Sequence, residues 1–127
     1  MGSFAEGERN KMLDAWAGRT TYTANAAVFA KLHTGDPGSA GANNAAANTT
    51  RQAVTFGAAA ASGAISNTSA VEWTSVPNTE TYTHVSFWTA SSGGTFLGSD
   101  DLSSSAPVTA GDTFRIPVGD LDLTLPA

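Results

Sequence analysis

His33 and His84 are the two histidines of the chain and its neutral nitrogen ligands. Zinc takes three or four ligands in a tetrahedral array. These two stand on separate segments, without cysteine and without ligand spacing around them. They read more simply as side chains at a sheet face or a subunit contact. Asp100, Asp101, Asp112, Asp120 and Asp122 are oxygen donors near turns. Calcium wants such donors clustered at a fixed loop spacing, which is absent. The same aspartates suit turns and outward strand positions. No metal and no cofactor is expected. Serines are frequent, but none stands in a Gly-x-Ser-x-Gly elbow. Glu72 and Glu80 lie near strand ends with nothing to pair them as acid and base. Gly93-Gly94 lacks the following lysine or helix of a phosphate loop. The chain is therefore not expected to be an enzyme. The remaining candidates are Trp73, Tyr82 and Trp88. Tyr82, His84 and Trp88 alternate on one strand face, as a sugar-stacking platform would, whereas aromatics in a chain this poor in large apolar residues also serve as core.

The element that would position these groups is Thr81–Thr89, the densest run of β-branched and aromatic residues. Both of its faces carry aromatics, so it reads as a central strand covered on both sides, with Thr83, Val85, Phe87 and Thr89 opposite Tyr82, His84, Ser86 and Trp88. Further strands are read at Val28–His33, Gln52–Phe56, around Ile65, at Val71–Trp73, Thr95–Asp101, Thr113–Val118 and Asp120–Leu125, with Leu121, Leu123 and Leu125 inward. Ser103–Pro107 reads as a loop. Period-two alternation predicts burial of Val54, Phe56, Val85, Phe87, Phe114, Ile116, Leu121 and Leu123. One helix is read over 3–18, with Ser3 and Glu6 as a capping box and Gly18 as its stop. Its apolar stripe is Ala5, Met12 and Trp16; Glu8, Arg9, Lys11 and Asp14 face away. Ser39–Thr50 and Gly57–Ser69 hold few groups able to anchor a core and are expected to order against other subunits. Asn67-Thr68-Ser69 matches the glycosylation sequon by chance. The expected fold is mainly β: an antiparallel β-sandwich or flattened barrel of about eight short strands with one N-terminal helix. It is a single domain over 1–127, with the β-part at 22–126.

At 127 residues the chain is long enough for one real core. Charged residues are only 13% and the net charge is −5, without a basic cluster, so neither nucleic acid nor an anionic membrane is an expected partner. No apolar run approaches the roughly 20 residues that cross a bilayer. There are no cysteines and no visible signal peptide, so synthesis in a cytosol is expected.

Residues alone thus reveal no reaction. Five stretches, Leu32–Gly38, Asn48–Phe56, Thr83–Trp88, Ala110–Phe114 and Gly119–Leu121, resemble in order and spacing a family of small tailed-bacteriophage virion proteins. Its members are described as head-decoration, minor capsid, minor tail or tail-fibre proteins. The resemblance spans 22–126 and leaves the helix without a counterpart. It implies a β-sandwich virion component, made in the host cytoplasm, with no catalytic residue to carry over. The first expectation is a capsid decoration or minor capsid protein that stabilises the outer shell, bound to the major capsid protein as a homo-oligomer, a trimer at threefold lattice points. The alternative is a minor tail, tail-fibre or baseplate component touching the host surface and bound to tail proteins. A third is a carbohydrate-binding module. Met12 and Trp16 are the candidate subunit contact.

Overall fold

The strand at the centre of the sequence is also central in space. The structure, a computed structural model, describes residues 2–59 and 63–124. Nine strands and one helix occur among them: β1 (Gly2–Phe4), α1 (Glu6–Trp16), β2 (Val28–His33), β3 (Gln52–Val54), β4 (Ala64–Ser66), β5 (Val71–Trp73), β6 (Glu80–Trp88), β7 (Phe96–Val108), β8 (Phe114–Ile116) and β9 (Asp122–Thr124). β6 pairs antiparallel with β2 on one side and β7 on the other. Ala30 lies beside Phe87 and Leu32 beside Val85, and all four are buried. Seven strands form one sheet in the order β3-β2-β6-β7-β1-β9-β4.

That sheet closes on itself. Beyond its two outer strands, Phe56 bridges Asn67 antiparallel. Gly57 N donates to Ser66 O at 3.0 Å and Thr68 N to Thr55 O at 2.8 Å. Closure pairs backbone groups that open edges would leave without partners. β5 and β8 form a separate pair, Val71 beside Ile116 and Trp73 beside Phe114. Their buried side chains join the same apolar core as those of the barrel. The fold is therefore the flattened-barrel form of the predicted class. Seven of the eight residues predicted inside are buried; Phe56, at the seam, is half-buried. Leu125 lies outside the described residues.

Three local expectations are corrected. Tyr82 does not share a face with His84, because the β6–β7 register shifts between them. Side chains alternate with period two, so an irregularity flips every residue beyond it, and Tyr82 enters the core. Ser103–Pro107 is not a loop: β7 runs on to Val108 and pairs with β6 again at Ala106 to Val108. Ser39–Thr50 packs on its own domain. Ala46 is buried and its N–H reaches Leu32 O at 3.1 Å, while both Glu80 carboxylate oxygens accept backbone N–H groups, from Ala47 at 3.0 Å and Asn48 at 3.1 Å. Part of Gly57–Ser69 is β4, a barrel strand.

The N-terminus carries the largest correction. Ser3 is not a helix cap but the middle of β1, which lies between β7 and β9, antiparallel to the first and parallel to the second. The helix begins at Glu6 after Ala5, without a side-chain cap. A cap is worth about 1 kcal/mol; a strand bonded on both sides gains several backbone bonds of similar worth. The seat is tight. A Cβ on Gly2 would lie 2.5 Å from Asp122 O and 2.7 Å from Ser99 O, and one on Gly98 would strike Ser3 O. Gly2→Val should therefore unseat β1 at a cost of about 1–3 kcal/mol. The readout is hydrogen exchange at the Ala5 amide, which bonds Leu97 O at 2.8 Å. Protection equal to the parent's would contradict the tight seat. At its other end α1 stops as predicted: Gly18 N reaches Ala15 O and Arg19 N reaches Asp14 O, the paired bonds of a Schellman motif.

Candidate functional site

His33 and His84 stand opposite each other on β2 and β6, yet they do different things. His33 is buried. Its Nδ1 lies 2.8 Å from Asn43 O, and a carbonyl only accepts, so Nδ1 carries the proton. Nε2 then accepts from the Ser86 hydroxyl at 2.7 Å, and Ser86 Oγ accepts from Trp88 Nε1 at 2.7 Å. Both ring nitrogens are occupied, which leaves no lone pair for a metal. The Ser-His pair has the connectivity of an activated nucleophile, but Ser86 is itself buried and out of a substrate's reach.

Burial lowers the His33 pKa, against hydrogen bonding to Asn43 that raises it; nearby Lys31 and His84 push the same way as burial. A lowered folded pKa means the unfolded chain binds the proton more tightly. The stabilisation is thus whole above the unfolded value of about 6.5 and is lost as pH falls through the folded one. NMR titration of the His33 ring should give a midpoint below about 6.5. A midpoint above that would mean that burial does not dominate the ring's environment.

His84 Nδ1 meets Thr83 Oγ1 at 2.8 Å and lines a cavity of about 210 Å³ with Asp36, Asp100, Asp101, Ser3 and Ser99. Asp100 is buried, and burial pushes its carboxyl up to about 6, opposed by the bond it accepts from Asp122 N at 2.9 Å. Three other aspartates make internal bonds. Asp36 Oδ1 accepts from Gly38 N, Asp112 Oδ2 from Thr109 N, and Asp122 pairs with the Ser66 hydroxyl. Among the described residues no three His, Asp or Glu side chains are grouped to hold a metal ion. The cavity adjoins a larger one of about 500 Å³ with which it shares Ser3, Asp36 and Ser99, and which adds Arg9, Ser39 and Phe96. Together they make a polar groove beside β1 and the start of α1.

The aromatics do not assemble into a platform. Tyr82 and Trp73 are core, packed on Phe114 at 5.1 and 5.8 Å between ring centres, with Trp73 Nε1 donating to Thr50 O at 2.8 Å. Trp88 is half-buried under the Arg51 guanidinium, 4.4 Å above its ring. Arg51 also donates to Ala90 O at 2.9 Å and Gly93 O at 2.7 Å, so it clamps the β6–β7 turn.

Helix α1 faces the barrel with a different side from the one its stripe implies. Glu8, read as outward, is 3% exposed; it accepts from the Tyr22 hydroxyl at 2.7 Å and from Lys11 Nζ at 3.2 Å. Burial, then the hydrogen bond to Glu8, pushes the Tyr22 phenol up to about 12. Beneath this pair lies an apolar cavity of about 160 Å³ reaching Phe56, Phe87 and Leu123. Met12 is half-buried, while Leu13 and Trp16 are 62% and 88% exposed. No helix among the described residues is long and apolar enough to cross a membrane.

Sequence reasoning missed Asn67. It is buried, and its amide makes four bonds: Nδ2 to Ser69 O and Pro117 O, Oδ1 from Gly119 N and Leu121 N. Its sequon context gave no sign of this.

These features define a small closed β-barrel carrying an N-terminal strand and helix. The chain belongs to the family described as Podophage GP4 fiber I protein gp80, whose sequence model matches residues 3–124. The family is one of tailed-phage virion proteins, so the protein is a virion component made in the host cell. No curated protein matches it.

Proposed function

We propose that the protein is a mechanical subunit of a podophage tail fibre, bound to tail proteins and to copies of itself, with no catalytic role. The carrying observation is the family match, which covers helix and barrel alike over 3–124. It favours the tail over the capsid shell, and nothing in it points to capsid decoration or to the major capsid protein as partner. The commitment of His33, Ser86, Asp36 and Asp112 to internal hydrogen bonds supports a role without chemistry. The test is to separate tails from tail-less capsids and quantify the protein in each by mass spectrometry. A few copies per particle, confined to tails, are expected. Abundance in tail-less capsids comparable to the major shell protein overturns the reading.

The exposed face of α1 is the proposed subunit contact, with Trp16 at its centre and Met12 and Leu13 beside it. Trp16→Ala should leave the barrel's own stability within about 0.5 kcal/mol, since an exposed ring makes few contacts to lose. It should weaken self-association by about 2 kcal/mol or more, the cost of removing an interface tryptophan, which is roughly 30-fold in Kd. Sedimentation equilibrium measures the second and thermal unfolding the first. Unchanged association would remove Trp16 from the contact.

A further inference from the structure

β1 fills a slot. Ser3 lies beside Ser99 of β7 on one side and Thr124 of β9 on the other, so three residues complete the barrel wall between those strands. Gly2 and Gly98 have no room for a side chain there, which fits the slot to this strand and little else. The chain beyond β1 is loosely held. Helix α1 touches the barrel chiefly through β7 and the buried Glu8. From Ala17 to Ala27 every residue but Tyr22 is exposed, and among the described residues no backbone hydrogen bond is made by residues 20–26. Tyr22 bonds Glu8, which is part of the arm, so that bond travels with it.

We propose that the β1–α1 arm is exchanged between copies, the Gly2–Phe4 strand of one subunit seating between β7 and β9 of the next. The same ladder forms in either case, so exchange costs little and is governed by local concentration. With Tyr22 travelling on the arm, residues 23–27 are the span free to extend, and they reach about 16–18 Å. A 127-residue chain has a radius of gyration of about 14 Å, so the arm can cross to a neighbour packed against it. Exchange also carries the exposed Leu13 and Trp16 onto the neighbouring barrel. Passed from head to tail, the arm makes an open chain of subunits, the symmetry a fibre needs. The proposal rests on the fibre reading for its supply of adjacent copies.

The absence of cysteine makes the test clean. Two full-length variants, Ser3→Cys alone and Ser99→Cys alone, are co-expressed with different tags and oxidised. These positions are direct partners across β1 and β7, and such neighbours fall within disulfide reach. Seating β1 of one chain on β7 of the other holds the two thiols side by side and joins the variants, and the Gly2→Val control separates this from collision. The expected result is a reducible heterodimer whose joined peptides carry the two substituted positions, lost when Gly2→Val is added to the S3C chain. The S3C/S99C double variant checks folding and oxidation. If it closes only within single chains while the co-expressed variants stay unlinked in an oligomer, exchange is overturned and the fibre reading stands. A heterodimer that persists with Gly2→Val reflects collision rather than seating and also overturns exchange. The fibre reading itself falls only to the partition between tails and capsids.

Discussion

Phe87→Ala should destabilise the protein by about 3–5 kcal/mol, the usual cost of removing a buried aromatic ring. Phe87 is 1% exposed and meets Phe56 edge-on, 5.6 Å between ring centres. Its position sets the cost near the top of that range. On one side its strand partner is Ala30 and on the other Gly98, so neither neighbour has a side chain long enough to move into the space. A void that cannot collapse costs more than the transfer of the missing atoms alone. The Phe56 ring, at the seam where the barrel closes, loses its partner as well, adding about 0.5–1.5 kcal/mol. Small domains have only about 5–15 kcal/mol of stability in total. Thermal unfolding should therefore show the midpoint falling by roughly 10–20 °C. A midpoint within a degree or two of the parent would mean that the ring does not fill the core.

The parts of this core that were legible in the sequence are those reported by local physics. Alternation is a local property, so Val85, Phe87, Phe114, Ile116, Leu121 and Leu123 announce their direction wherever their strands end up. Position in the sheet is not local. Gly2-Ser3-Phe4 lies just before Glu6 and carries a helix-start signature; only the gap between β7 and β9 makes it a strand. The turn of Tyr82 into the core depends on β7 holding more residues than β6 across the same stretch, which neither strand reveals alone. Ala46 is buried not because it is strongly apolar but because its segment lies along Leu32. The helix misled for a related reason. Its most apolar side faces water and its buried residue is an acid, a reversal of the usual pattern that suits a surface awaiting a partner.

Asn67→Ala should cost at least about 2 kcal/mol although it removes no large apolar group. The side chain is 2% exposed, and its two donors and its acceptor oxygen join four backbone groups from two segments of chain. Gly119 and Leu121 supply N–H groups at 3.0 Å, and Pro117 a carbonyl at the same distance, all in the turn between β8 and β9. Ser69 supplies the fourth, at 2.9 Å, on the way to β5. Truncation strips the partner from the Leu121 N–H and the Ser69 carbonyl, at about 1–3 kcal/mol for each that stays buried. The Gly119 N–H keeps Asn67 O at 3.1 Å and Pro117 O keeps the Asp120 N–H at 3.3 Å, so two groups rather than four set the loss. The backbone of Asn67 is also part of the seam: it bridges Phe56, and its N–H donates to Leu121 O at 3.2 Å. Loosening this corner should open the barrel where its two outer strands meet. Hydrogen exchange should accelerate first at Gly57 and Thr68, whose amides carry the seam bonds, before the β2–β6–β7 ladder responds. Asn67→Asp keeps an acceptor for Gly119 and Leu121 but points a carboxylate at two carbonyls, so it should fall short of rescue at neutral pH. Unfolding in urea compares the three proteins. If Asn67→Ala unfolds at the parent's midpoint, the turn is held by its own backbone and the amide is a bystander.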